Sequence, residues 1–574
     1  MGRIVGIDLG TSTSEISVLI DGQPFVIPNK QGDTIIPSVV GMNREGRVVI
    51  GKEAKEQILL RPEDTVMEVK RLIGSNEKVI MAGKEYMPQE ISSFLIQYLV
   101  KYATEYLGEE IEGTVITVPA YFTDVQRRAT VEAGKLAGIQ VSGIINEPTA
   151  ASLDYGINHM EECKNIMVYD LGGGTLDVTV LEMFEGIIEV KASSGNNQLG
   201  GKDFDEILMS YLWEELKERH NLPDELDIRA RVRLKEATEQ CKIALSTQEE
   251  YTIELPFFIN VDDNPVTLDS KMTRSLFESL IKERIDSTAV QMKSALHDAG
   301  LKAEEIDLVI LIGGSTRIPY VKKLVSNVMG RIPGTLLDPD MAVARGASIQ
   351  AAILNHELDS DKDIMLTDVC PYTLGISTLG TIGGMLSDDI FDVIIPRNVT
   401  IPVNREKIYG TCQDNQAMVE IKVYQGEYKK ASGNHFLGSF MIAGIPERPA
   451  YQEKVKVAFS YDVNGILDVE ATVVSTGKRA HITVSTAGSE MMRELDLSLW
   501  KDAPDARRYR ALINKAERVL EEDRVGDRML DLDELIKDIK GALVEGAEPD
   551  IIDEIKEEIE DFLFDLEEDD EEEE

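Results

Sequence analysis

Two stretches of the chain place an acid, bare backbone and hydroxyls in the same order. "RIVGIDLGTSTSEISVLI", from residue 3, and "MVYDLGGGTLDVTVLE", from residue 167, each run apolar into an aspartate, then through leucine and glycine to threonine and a second β-rich run. A strand that ends in Asp-x-Gly and returns as a strand makes a tight hairpin whose glycines tolerate positive φ and leave no Cβ in the way of a ligand. The backbone N–H groups of Gly10, Gly172, Gly173 and Gly174 can then point at phosphate oxygens, with the hydroxyls of Thr11, Ser12, Thr13 and Thr175 beside them. Asp8 and Asp170, at the mouths of two such hairpins, would face each other across a cleft and hold a hydrated divalent cation, for which hard oxygen ligands and retained waters suit magnesium. One copy alone reads equally well as an ordinary glycine turn. The repetition favours a duplicated lobe that grips a nucleotide's phosphates from both sides, and no GxxxxGK[ST] stretch offers a P-loop instead.

A third glycine turn, "LVILIGGSTRIP", carries Gly313, Gly314, Ser315 and Arg317, small residues against which a flat ring can lie. In "KEATEQCKIALST", Glu239, Lys242 and Ser246 recur at helical spacing on one face. That face is either simply solvated or the adenosine side of the same site.

These turns need a large scaffold. At 574 residues the chain exceeds one core, and domains of roughly 100 to 200 residues imply about three to five units. The net charge of −43 argues against a nucleic-acid partner. Cys163, Cys241, Cys370 and Cys412 form no CxxC pair and the six histidines are scattered, so neither a metal cage nor a disulfide framework is expected, and a reducing compartment fits. The first apolar run is cut at Asp8, no stretch approaches 18 apolar residues, and Gly6 stands where a myristoylation motif needs Ser or Thr. A soluble, cytoplasmic protein without a membrane partner is expected.

To about residue 360, β-rich runs such as "GTVITVPA" alternate with helical ones such as "QEISSFLIQYLVKYATEYLG" and "MTRSLFESLIKERIDSTAVQMKSALHDAG", which is an α/β pattern. The short run Ile364-Met365-Leu366 reads either as a linker that can dock or as a first edge strand. Residues 369–487 alternate as strands, with Asn464-Gly465 giving a two-residue hairpin signal. Beyond 488, Leu532, Leu535, Ile536, Ile539 and Leu543 form one apolar stripe and Ile552, Ile555, Ile559 and Phe562 another, with Pro549 at the start of the second helix. The closing "EEDDEEEE" reads as a disordered acidic tail.

The stretches "GIDLGTS", "VPAYFTDVQRRAT", "INEPTAASLDYG", "YDLGGGTLDVTVLE", "LGGKDFDE", "IGGSTRIP", "DPDMAVARGASIQAA", "DVCPYTLGIS", "RNVTIPV", "NQAMVEIKVYQGE" and "VNGILDV" stand in one order and spacing. In them the chain, over about residues 2–487, resembles the seventy-kilodalton heat-shock chaperones of the DnaK family; "LTDVCPYTLGI" is more similar to their HscC-type branch. The resemblance implies a multidomain α/β, β and α architecture. It consists of a duplicated actin- and hexokinase-like nucleotide-binding domain (1–359), an interdomain linker (360–368), a β-sandwich peptide-binding domain (369–487), a short helical lid (488–567) and the tail (568–574).

It also implies an ATP-dependent chaperone and ATPase, with ATP or ADP, Mg2+ and optionally K+ as cofactors. Lys70, Glu147 and Thr175 match the hydrolytic set, with Asp8, Asp170 and Asp177 around magnesium and its waters. Gly10, Thr11, Ser12, Thr13, Gly172, Gly173, Gly174, Gly200, Gly201, Gly313 and Gly314 match the nucleotide turns; Glu239, Lys242, Ser246, Ser315, Arg317 and Asp340 match the adenosine pocket. Pro119, Arg127 and Asp368 match residues that relay the nucleotide state between domains; the other reading of Pro119 is a residue that simply ends a strand. Ile376, Leu379, Tyr409, Cys412, Val419 and Ile421 match a peptide groove, Leu379 and Cys412 as its arch; the other reading of each is plain sandwich core.

The partners implied are unfolded or client polypeptides, a J-domain co-chaperone and a nucleotide exchange factor. Gly143 stands where the family usually has a basic residue that meets the J-domain, so a dedicated J-domain partner is expected. Thr367 and Arg345 also depart from the pattern, the helical region is shorter than the full lid, and the tail lacks the Glu-Glu-Val-Asp ending of eukaryotic members. A sugar-type kinase and an actin-like filament protein share the superfold, but neither predicts a β domain after the linker.

Overall fold

The apolar runs flanking each Asp-Leu-Gly turn pair as antiparallel hairpins in the computed structural model, which describes residues 2–220, 222, 226–261, 264–334, 337–358, 364–382, 385–483, 500 and 506–521, with scattered positions between 532 and 563. Arg3–Leu9 pairs with Thr13–Ile20, and Lys164–Leu171 with Leu176–Phe184. Each leading strand gains a parallel neighbour, Ile111–Val118 in the first lobe and Leu308–Ile312 in the second. Each returning strand gains an antiparallel one, Gln23–Val26 and Ile187–Asn196. The first sheet continues to Gln140–Asn146; at the same place in the second, the described residues make an isolated parallel bridge from Ile310 to Gly334. The repeat seen in two short motifs is therefore a repeat of whole sheets.

Two helices join the lobes by exchange. Glu147–Gly156 follows the first sheet but packs on strands of the second, while Ala342–Leu354 follows the second lobe and packs on strands of the first. They cross at small residues: a Cβ on Gly346 would lie 1.7 Å from the carbonyl oxygen of Ala150. The long run from residue 89 is the helix Pro88–Leu107, as its periodicity predicts. The other long run is two helices, Arg274–Ser287 and Ala289–Ala299; they part at buried Thr288, whose hydroxyl donates to the Ile285 carbonyl and accepts from Tyr169.

Both readings of the apolar stretch near 365 hold together. Met365–Val369 adds to the outer edge of the second lobe's sheet, parallel to Ile187–Asn196, and also pairs with Thr400–Ile401 of the β domain. The β domain stacks two four-stranded sheets over a core that includes Val423, Phe440, Val457, Phe459 and Val469. Its Asn464-Gly465 turn is not the two-residue form expected. Only Gly465 takes positive φ, 69°, while Asp462 closes a longer loop by accepting the N–H groups of Asn464 and Ile466. Asn464 is thereby free to face the first lobe, where its side-chain oxygen accepts the Ile144 N–H at 2.9 Å. At the C-terminal end the two predicted stripes share one core with Trp500, Tyr509 and Ile513. Pro549, the acidic tail and the boundary at 487 lie outside the described residues.

Candidate nucleotide site

The tips of the two hairpins meet, and glycine is what lets them. A Cβ on Gly10 would lie 2.2 Å from the Thr13 carbonyl oxygen, and one on Gly173 would lie 2.3 Å from Ser12 Oγ across the cleft. Gly174 faces Thr11 in the same way, at 3.0 Å. Behind the second tip, Gly201 and Lys202, at the start of the helix Gly201–His220, donate their N–H groups to the carbonyls of Gly172 (2.9 Å) and Gly173 (2.8 Å). Gly200 lies so close that a Cβ would sit 2.5 Å from both Gly173 C and Gly174 N. Gly313 has φ 80° and donates to the Pro339 carbonyl, while the Ser315 hydroxyl donates to that of Gly172 at 2.8 Å. Together the turns wall a cleft of about 760 Å³, a size that suits a small-molecule ligand.

At its floor Asp8, Glu147 and Asp170 stand with one cation, Lys70, and Asp177 lies behind them. The Lys70 ammonium lies 2.5 Å from Glu147 Oε1, both buried, and 5.6 Å from the centre of the Phe122 ring. Asp8 is pushed up to about 7 by its burial and by Glu147, against the opposing effects of Lys70 and the Thr117 hydroxyl at 2.9 Å. Asp170 is held well above the usual carboxylate range by burial, then by Glu147, Asp177 and Asp8. Asp177 rises to about 7 through burial and then Glu147, although it accepts the Tyr121 N–H at 3.0 Å, and its second oxygen has no hydrogen-bond partner. These shifts mark a deficit of positive charge. Among the described residues no three His, Cys, Asp or Glu side chains close on a common point as a direct metal cage. The hard carboxylate oxygens and the deficit of positive charge fit a hard divalent cation.

Along the cleft, Glu239, Lys242, Ser246, Arg317 and Asp340 all contribute to the wall. Burial works to raise Glu239, but Lys202, Lys55 and Lys242 hold it down to about 2. Lys242, half-buried and lowered by desolvation, donates to Asp205 (2.8 Å) and to the Gly201 carbonyl (3.0 Å). Arg317 pairs with Asp340 at 2.5 Å, and Ser246 donates to its own helix. Gly314 leaves open space beside these groups, its nearest neighbour for a Cβ being Asp340 at 3.7 Å. Thus the predicted residues converge, except that Asp177, Gly174 and Gly200 stand behind the cleft wall rather than on it.

Two residues escaped the sequence reading. Glu15 is the cross-strand partner of Asp8, as Asp177 is of Asp170, and it is equally buried, with one oxygen unpartnered. Aligning the two copies beyond the glycines would have found it, since both place an acid at the same offset. Lys202 bridges Glu239 (2.6 Å), Glu68 (3.6 Å) and Asp205 (3.7 Å). It stood in plain view in "LGGKDFDE".

The proposed relay residues lie where the β domain meets the lobes. Arg127 donates to Asn146 Oδ1 (2.7 Å), the Ala120 carbonyl (3.0 Å) and the Asn464 carbonyl (3.3 Å) of the β domain. Half-buried Asp368 accepts from Asn146 and Thr149, both at 2.9 Å. Pro119 follows the strand Ile111–Val118, and its carbonyl accepts the Phe122 N–H. The six groove candidates divide: Ile376 and Ile421 are core, 3% and 4% exposed, Tyr409 and Val419 are half-buried at its margin, and Leu379 and Cys412 are exposed. Tyr409 donates to Asp392 at 2.6 Å.

Comparison with known proteins gives a consistent result. The family model described as Hsp70 protein matches residues 4–81 and 76–574. The chain is 44% identical over 532 residues to a chaperone protein DnaK of Thermotoga neapolitana, covering 92% of this chain and 87% of that one. It is 42% identical over 562 residues to the DnaK of Thermosipho africanus, covering 94% and 92%.

Proposed function

The chain belongs to the Hsp70 family, and from that membership we infer how its cleft and β domain work together as an ATP-dependent chaperone that binds client polypeptides and hydrolyses ATP. Asp8, Asp170 and Asp177 would hold a magnesium ion, which would supply neutralising charge at the phosphates. Lys70 offsets the charge that spreads over the transferring phosphoryl group, Glu147 orients the attacking water, and Thr175 sits beside the γ-phosphate. Phosphoryl transfer needs mostly positioning and charge stabilisation, so no covalent nucleophile is required. The hairpin amides fix the phosphates, while Glu239, Lys242, Ser246, Ser315, Arg317 and Asp340 flank the adenosine.

One observation supports coupling to the β domain. Asn146 and Glu147 are consecutive: Asn146 binds Asp368 of the linker strand and Glu147 binds Lys70 in the cleft. A change at the γ-phosphate that shifts Glu147 therefore pulls on the residue that holds the linker. Moving a two-state equilibrium from 1:99 to 99:1 takes roughly 5.5 kcal/mol of differential binding, and contacts at two hairpins supply a source for it. ATP thereby opens a groove edged by Leu379, Tyr409, Cys412 and Val419 and backed by Ile376 and Ile421. A J-domain protein couples client arrival to hydrolysis, an exchange factor renews the nucleotide, and the cytoplasm is the proposed setting. The test is whether ATP releases a fluorescent apolar peptide from the purified protein. Release is expected; retention of the peptide through ATP binding and hydrolysis overturns the coupling.

A further inference from the structure

We propose that the ion pair between Asp154 and Arg345 is a positioning device for hydrolysis, holding the helix that begins with Glu147 in register against the helix whose first turn lines the nucleotide cleft. The inference rests on the role given to Glu147 above.

The helices Glu147–Gly156 and Ala342–Leu354 meet through small residues, Ala150, Ala151, Gly346 and Ala347, all of them buried. Contact between backbones is close, with the Gly346 Cα over the Ala150 carbonyl. Small residues permit that approach, but they provide no large ridges to interlock and so hold the two helices only weakly against sliding. Into this surface the chain inserts a charge. The Asp154 side chain is 0% exposed, and neither of its oxygens has a hydrogen-bond partner. The Arg345 guanidinium, with Nε 3.0 Å from Asp154 Oδ1, is the charge that opposes the effect of burial on this carboxylate. A buried carboxylate is tolerated only with its counter-charge at contact distance, so any slide that parts the two is strongly disfavoured. The pair makes one register of the crossing much better than its neighbours.

That register matters because of what the same helices carry. Glu147 is the first residue of one, and its carboxylate reaches Lys70. Val343 in the first turn of the other lines the cleft, as do Pro339 and Asp340 just before it. Neither Asp154 nor Arg345 lines the cleft, so the pair acts through Glu147 rather than on the nucleotide.

The experiment measures single-turnover hydrolysis, ATP affinity and thermal melting on the full-length protein. Arg345→Met should slow hydrolysis at least about fivefold, as a small misplacement of a catalytic group does, while ATP affinity stays within about twofold. Arg345→Lys, which keeps the charge, should recover most of the rate. The double variant Asp154→Leu with Arg345→Met removes both charges and so should melt no lower than the native protein, because apolar residues replace a buried ion pair without loss. If the pair positions Glu147, this stable double variant still hydrolyses slowly. A double variant that is stable and hydrolyses at the native rate overturns the proposal, as does native hydrolysis in Arg345→Met. A Glu147→Ala variant in the same series separates the premise: unaltered turnover there removes the role of Glu147 itself, whereas slow turnover there with a native-rate double variant removes only the positioning role of the pair.

Discussion

Gly200→Ala adds one methyl group where the backbone has no room to yield. The new Cβ would lie 2.5 Å from Gly173 C and Gly174 N and 2.7 Å from Gly173 O, about 1 Å short of ordinary contact. Gly200 does not have the positive φ that alanine resists, so the effect is steric rather than conformational. The opposing atoms are backbone and cannot rotate away; the Gly172–Thr175 turn must move. It is also tied down, by the N–H groups of Gly201 and Lys202 and by the Ser315 hydroxyl. Stretching two such hydrogen bonds costs about 2 kcal/mol, which the lobe can absorb without unfolding. The turn's position relative to Lys70 and Glu147 cannot absorb it. A displacement of about 1 Å at a phosphate-positioning element is worth about 100-fold in rate, or about 2.7 kcal/mol. Single-turnover hydrolysis should fall by that order while cooperative melting persists. Hydrolysis within about threefold of the native rate would show that the second hairpin does not need its observed position, and the reasoning would be refuted.

Three further outcomes are expected. Thr175→Ala and Glu147→Ala should each slow single-turnover hydrolysis at least about tenfold with little change in nucleotide affinity; unaltered turnover in both sinks their assignment. Val419→Phe should fill the groove and abolish binding of an apolar peptide while peptide-independent hydrolysis persists, whereas loss of cooperative melting of the β domain would mark Val419 as mere core. Gly143→Arg should raise stimulation by a generic J-domain about tenfold or more, through a charge-assisted contact worth roughly 1.5 to 3 kcal/mol. Strong stimulation of the native protein that the substitution leaves unchanged rejects that idea. Gly143 is buried beside Leu354 and Asn464, so the same variant should also loosen docking of the β domain, seen as faster protease cleavage near the linker.

Local chemistry was legible. The hairpins at Asp8 and Asp170 could be read because a strand, an acid and bare backbone are specified by neighbouring residues. The C-terminal stripes could be read because helical spacing puts Leu532, Ile536, Ile539 and Leu543 on one face. The Asn464-Gly465 turn was misjudged because the pair was weighed without Asp462, whose carboxylate accepts the N–H groups of Asn464 and Ile466. Asp462 closes it from within, while Ile144 and Arg127, far away in sequence, engage Asn464. Glu15 was missed because the comparison of the two copies stopped at the glycines.

By itself, then, the sequence determined which segments turn, which alternate and which spiral, since those outcomes depend on residues within one or two turns of each other. It also determined the family, through motifs long enough to be distinctive. The tertiary structure alone decided that Lys70 would face Glu147, that the stretch after residue 364 would complete the second lobe's sheet, and that Asp154 would be buried against Arg345. Each of these joins groups separated by many residues, and each depends on how lobes and helices pack. The same aspartate on an exposed helix would be an ordinary solvated charge; only its enclosure by a second helix makes it depend on one particular arginine.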